Sequence, residues 1–215
     1  GENDIATIQT ASVTSPTVYT STATLDTFVL SEELAYVTLQ FSHAVVIVDV
    51  DTQAVVDTIY THATGCSLLF RAVMSPDGEY VYVGCMGSFT VLVIDTHTFS
   101  AVANIPGIAA ADDVAFTRSG DYALAGSHDQ NQIAVIDTET LTVVQNISTS
   151  GRPDSISVHP YLERAYAATF SGEILVIDTS TFTVTGSIAP WSLFSRSCWF
   201  RTSPHPMYRT MTPYF

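Results

Sequence analysis

Two stretches decide the fold: Ser75-Pro76-Asp77-Gly78-Glu79-Tyr80-Val81-Tyr82-Val83 and Val91-Leu92-Val93-Ile94-Asp95-Thr96-His97-Thr98. The first is a turn leading into a β-rich run. Proline presets φ at a turn position, Asp bonds the backbone ahead of it, and Gly accepts φ > 0. The second is an apolar strand ending in an Asp-x-x-Thr turn, whose side chains can bond the hairpin backbone.

Both landmarks recur at a fixed period. The Asp of the second falls at 49, 95, 137 and 178, in steps of 46, 42 and 41, each time after an apolar run and before a β-rich run that closes on Ile59, Ile105, Ile147 or Ile188. The first landmark sits at 31, 75, 117, 159 and 203, in steps of 44, 42, 42 and 44. In the second unit the pattern predicts strands over about Leu69–Met74, Glu79–Gly84, Thr90–Asp95 and Ala101–Ile105, rich in Val, Ile, Tyr and Thr. No apolar 3.6 periodicity argues for helix. Four-stranded units of about 42 residues are the signature of a β-propeller.

The expected architecture is therefore all-β, with four complete antiparallel blades over residues 28–188. Residues 1–27 form an N-terminal strand and lead-in, and 189–215 a partial repeat or a basic, aromatic tail. A partial fifth blade would draw Ile5-Ala6-Thr7-Ile8 from one terminus and Cys198–Thr202 and Met207–Met211 from the other. The start at Gly1-Glu2-Asn3 fits a chain from which a leader was removed, or a trimmed one.

Asp77-Gly78-Glu79-Tyr80-Val81-Tyr82-Val83, the later Val93-Ile94-Asp95-Thr96 and the Gly151-Arg152-Pro153 step resemble the YVTN-type β-propeller repeat. The resemblance covers about residues 28 to 188 and implies the fold; the family's members range from surface proteins to binding proteins and cofactor-associated chains. No Trp-Asp dipeptide or Gly-His pair supports a WD40 reading, and the two tryptophans, Trp191 and Trp199, are too few for the regular tryptophans of quinone-binding propellers.

Composition narrows function. The 215 residues carry 7 arginines, no lysine and 21 acidic residues, a net charge of −14. Such a chain lacks the footprint of a nucleic-acid binder or of an anionic membrane surface binder, and no apolar run nears the roughly 18 residues of a spanning helix. Every acidic residue lies at or before Asp178, so residues 1–188 carry −17 and residues 189–215 carry +3, from Arg196, Arg201 and Arg209.

Chemistry-bearing candidates are few. First strands of blades line a propeller's central channel, and aligning the position four residues before each turn landmark gives Thr27, Arg71, Asp113, Ser155 and Trp199. Arg71, Asp113 and Ser155 then make either a ligand-binding channel mouth or a plain inter-blade ion pair and hydrogen bond. His128 and Asp129 lie in a loop that can bind a polar ligand or a cation, a solvated hairpin being the simpler reading. Asp112-Asp113 can be weighed as a calcium pair, but no other ligand spacing supports it, which favours a cap at the start of a strand. The six histidines show no zinc spacing, and neither a nucleophile elbow nor a phosphate loop is present. Cys66 and Cys85 emerge at the same end of one blade and can pair in an oxidising compartment or stay as buried thiols. Asn146-Ile147-Ser148 is a sequon for N-glycosylation.

These observations lead to the expectation of a non-catalytic structural and interaction propeller, extracellular or on a cell surface. It would need no metal or cofactor and would associate with itself through blade edges or termini, as a homo-oligomer or filament. Other surface proteins or glycans are further partners. The alternative is a small-ligand or metal-binding propeller with its site at the channel mouth; an enzyme subunit ranks third.

Overall fold

The computed structural model describes residues 34–189 and the backbone of two short strands before them. In chain order these are β1 (Tyr19–Thr20), β2 (Thr27–Leu30), β3 (Leu34–Leu39), β4 (Ala44–Asp49), β5 (Val55–Tyr60), β6 (Leu69–Met74), β7 (Tyr80–Cys85), β8 (Thr90–Asp95), β9 (Ser100–Pro106), β10 (Ala111–Phe116), β11 (Tyr122–Ser127), β12 (Gln132–Asp137), β13 (Thr142–Ser148), β14 (Pro153–Val158), β15 (Arg164–Thr169), β16 (Ile174–Asp178) and β17 (Thr183–Ile188). Helical structure among the described residues is limited to two single 3-10 turns, His62–Thr64 and His128–Gln130. The strands form four antiparallel sheets in chain order: β1–β5, β6–β9, β10–β13 and β14–β17. These are blades 1 to 4. The second unit's strands fall within one residue of the sequence expectation, and blade 1 carries an additional strand, β1, paired to its first strand β2. The strands expected at 5–8, 198–202 and 207–211, and with them the fifth blade, lie outside the described residues.

Strand alternation builds the seams between blades, because successive side chains point to opposite faces. Val81, Val83, Leu92 and Ile94 of blade 2 pack on Tyr36, Val45 and Ile47 of blade 1. Tyr82, Val91 and Val93, on the other face of blade 2, meet Ala123, Ala125, Ala134 and Ile136 of blade 3. Leu124, Ile133 and Val135 of blade 3 then meet Ala165, Ala167, Leu175 and Ile177 of blade 4. Packing runs in the order 1-2-3-4, and no comparable contact joins blade 4 to blade 1 among the described residues. Gly84 allows the closest approach: a Cβ there would stand 2.7 Å from the Ala111 carbonyl oxygen of the next blade.

One end of every blade is held by the two turn motifs. The Asp49, Asp95, Asp137 and Asp178 carboxylates each accept the backbone N–H of the Thr three residues on, at 2.7, 2.8, 2.8 and 3.1 Å. In the first three the Thr hydroxyl donates to the same oxygen. The next residue takes a positive φ: Gln53, Phe99, Leu141 and Phe182. Phe99, Leu141 and Phe182 use that backbone to turn their side chains into the seam with the preceding blade. The Thr after the Asp serves the other turn: Thr96 and Thr138 donate to the carbonyls of Gly78 and Gly120, both at 2.8 Å. In blade 4 His159 takes the serine's place, its Nδ1 accepting the N–H groups of Tyr161 and Leu162.

Candidate functional site: a charged cluster on bulged inner strands

At the opposite end of the blades the repeat gives way to individual residues. The ladder between first and second strands breaks between Leu69 and Ala72, Ala111 and Val114, and Pro153 and Ser155. Bulges of this kind re-aim side chains and recur beside functional sites. Here they fall at one height on β6, β10 and β14, beside the consecutive buried Asp112 and Asp113.

Arg71 Nη1 lies 3.1 Å from Asp113 Oδ2, with side chains 14% and 8% exposed. The same Asp113 oxygen accepts the Ile156 N–H at 2.8 Å and the Ser155 hydroxyl at 3.2 Å, while Arg71 Nη1 reaches Ser155 Oγ at 3.5 Å. Asp113 Oδ1 accepts the Val114 N–H at 3.0 Å. The structure thus brings Arg71, Asp113 and Ser155 together across blades 2, 3 and 4. Blade 1 joins through the Thr38 hydroxyl, which donates to the Phe70 carbonyl at 2.8 Å. Burial pushes the Asp113 carboxyl upward, and Arg71 and the Ile156 amide pull it back. Of the remaining aligned positions, the Thr27 side chain and Trp199 lie outside the described residues.

Asp112 differs from its neighbour. It is 3% exposed, and its Oδ1 has no hydrogen-bond partner. Its carboxyl group is hydrogen-bonded to that of Asp154 on β14. Burial, above all, raises its pKa to about 7; Arg71 opposes the rise, while Asp154 and Asp113 add to it. Sequence alignment at the Arg71–Asp113–Ser155 position passed over Asp154. The position one residue earlier, at the same 42-residue spacing, reads Phe70, Asp112 and Asp154 and carries the signal.

His128 and Asp129 part company, and the simple hairpin expected for them is only half right. Asp129 is exposed, but His128 is buried, with Asp129 Oδ1 3.3 Å from its Nδ1. Arg152 Nη2 stands 2.7 Å from Nδ1 and 2.5 Å from Nε2. Phe170 packs edge-on against the imidazole at 5.4 Å, and the Arg152 guanidinium lies 5.2 Å over the Phe170 ring. No group of three His, Cys, Asp or Glu side chains among the described residues is placed to hold a metal ion, so Asp112-Asp113 gains no third ligand. Cys66 and Cys85 form a disulfide at this same end of blade 2. Asn146 is exposed on the outermost strand of blade 3.

With fold and cluster in view, the class is a β-propeller. The Cytochrome D1 heme domain family model matches residues 30–164, and the chain belongs to that family. Two solved structures share the fold. "Kuenenia stuttgartiensis Hydrazine Synthase" is 23% identical with a TM-score of 0.66, over 72% of this chain and 45% of that one. "Dihydro-heme d1 dehydrogenase NirN in complex with DHE" is 20% identical with a TM-score of 0.59, over 74% of this chain and 35% of that one. The chain spans less than half the length of either. No curated protein matches it. These findings correct the expectation of a non-catalytic, secreted structural or filament-forming module: the family is defined by a heme domain, and the two structural neighbours are enzymes by name. Composition and spacing missed this because neither shows what a propeller is attached to.

The family raises the question of a heme. Iron needs an axial His, Cys, Met or Tyr with a free donor atom. His128 has the Arg152 guanidinium against its ring, where it can donate to one ring nitrogen. His43 Nδ1 accepts the Leu68 N–H, His97 lies 3.6 Å from Glu79, and His159 is spent on its turn. Cys66 and Cys85 are joined. The inner-strand cluster itself offers Arg, Asp and Ser. That cluster therefore does not fit an iron-ligating site.

Proposed function

We propose that the chain is the propeller portion of a heme-dependent redox enzyme, and that its described blades contribute the charged inner-strand end rather than an iron ligand. The observation that carries the reading is the family match over residues 30–164, which contains Arg71, Asp112, Asp113, Asp154 and Ser155. A network of buried charges spanning three blades serves a site better than a scaffold, since buried ion pairs add little stability over apolar packing. The repeat is read as YVTN-like on the strength of its Asp-Thr and Ser-Pro-Asp-Gly copies. An oxidising compartment is part of the proposal, supported by the Cys66–Cys85 disulfide.

Absorption spectroscopy of the full chain titrated with hemin tests the reading. A spectrum unchanged by His128→Ala and His43→Ala is expected. A six-coordinate imidazole spectrum that either substitution abolishes overturns it.

A further inference from the structure

The cluster at the inner strands does not balance. Among the described residues, Asp112, Asp113 and Asp154 face one guanidinium, and Arg71 is already committed to Asp113 and Ser155. Asp113 is saturated by Arg71, Ser155 and the N–H groups of Val114 and Ile156. What remains uncompensated is the Asp112–Asp154 pair, which crosses the seam of blades 3 and 4. One of its oxygens, Asp112 Oδ1, is buried without any donor, an arrangement that costs free energy unless something supplies one. The charged or titratable groups around Asp112 are Arg71 from β6, Asp113 beside it on β10 and Asp154 from β14; β7 and β11 bring no Asp, Glu, His or Arg.

We infer that the Asp112–Asp154 pair is the seat of a small organic cation, a primary alkylammonium group, which enters on the partly exposed Asp154 side. An anion is repelled by the excess of carboxylates. Calcium wants six or more oxygens, and only these two carboxylates are uncommitted. An ammonium head brings three N–H donors on one positive charge, which suits two carboxylates and supplies the donor that Oδ1 lacks. The proton that burial favours on Asp112 leaves to solvent as the cation arrives, so the carboxylate gains a negative charge as the ammonium brings a positive one. The inference rests on the proposal that this end of the blades is the functional one, but it needs no heme.

Calorimetric titration of the heme-free chain with propylammonium chloride tests it, near neutral pH, in two buffers of different ionisation heat. Sodium chloride and calcium chloride are the comparison titrants. Saturable binding is expected, with a heat that changes between buffers as proton release requires. Asp112→Asn and Asp154→Asn should each weaken it by about tenfold or more, the scale of one charge-assisted hydrogen bond. Asp121→Asn, at the exposed turn end, should leave it unchanged. Thermal unfolding of each variant shows whether it has folded; if one has not, the buffer dependence of the unmodified chain decides alone. No heat beyond the sodium control, equal heat from calcium, no buffer dependence, or full binding by both folded variants overturns the inference. An imidazole-ligated heme spectrum alongside intact propylammonium binding would defeat the proposed function and leave this site standing.

Discussion

The two ends of the blades follow opposite rules. At the turn end all four blades solve the same problem in the same way, with an Asp carboxylate receiving the amide of a Thr three residues on. At the other end the blades diverge: Phe70 and Arg71 in blade 2, Asp112 and Asp113 in blade 3, Asp154 and Ser155 in blade 4, with only the Asp of blades 3 and 4 shared. The disulfide at Cys66 and Cys85 and the buried His128 share that end. Repetition marks what the backbone needs in every unit, and departure from it marks what one unit does for the molecule. The departures sit on bulges, where the ladder is already broken and an odd residue displaces no pairing.

Four measurements probe that contrast, from the largest effect to the smallest. Asp113→Ala strands the Arg71 guanidinium in a buried site and should cost about 3–5 kcal/mol in chemical denaturation. A cost near zero would make the cluster a surface feature. Cys66→Ala removes a cross-link over a sequence separation of 19 residues and should cost about 3 kcal/mol.

Asp112→Asn bears on pH. The folded pKa of Asp112, about 7, lies above its ordinary value of 3.8, so the folded state binds the extra proton between those values. Asp112's contribution is greatest at acid pH and falls as pH rises through that window. The Asn variant should lose this slope and gain stability relative to the parent at pH above 7; an identical pH profile would show that the pair holds no proton.

Asp137→Ala is the smallest. The amide and hydroxyl of Thr140 hold the Asp137 carboxyl below the usual range, so its contribution is present above the ordinary carboxylate pKa and is lost as pH falls through the folded one. A modest drop in the denaturation midpoint at neutral pH, shrinking in acid, is expected. Loss of cation binding there at unchanged stability would overturn the division between the two ends.

How much was legible follows the same line. The turn end could be read directly, because Asp-x-x-Thr and Ser-Pro-Asp-Gly act within a few residues and a short motif contains its own cause. Arg71, Asp113 and Ser155 could be aligned because the period carries one blade's position onto the next. The partnership of Asp112 with Asp154 was hidden because the two stand 42 residues apart on different blades, and consecutive burial is ordinary where both faces of a blade pack on neighbours. Nothing near His128 in sequence announces Arg152 or Phe170, which arrive from the neighbouring blade. The heme-domain family was invisible to spacing, since the residues that define a fold repeat and those that define a ligand do not.

The left-handed residue after each Asp-x-x-Thr turn gives the array a direction. Phe99, Leu141 and Phe182 each plug the seam behind them, toward the preceding blade, whereas the first blade has the exposed Gln53 at that place. Each blade is therefore stoppered by its successor and never by its predecessor. Losing blade 4 removes Phe182 from Tyr122, its edge-to-face partner at 4.9 Å, and uncorks blade 3. Losing blade 1 leaves every later stopper in its own seam except Phe99. Stacked repeats lend stability to their nearest neighbours, and the four described blades lend it backwards, so loss of blade 4 should loosen blade 3 more than loss of blade 1 loosens blade 2, like a zipper with its slider at one end.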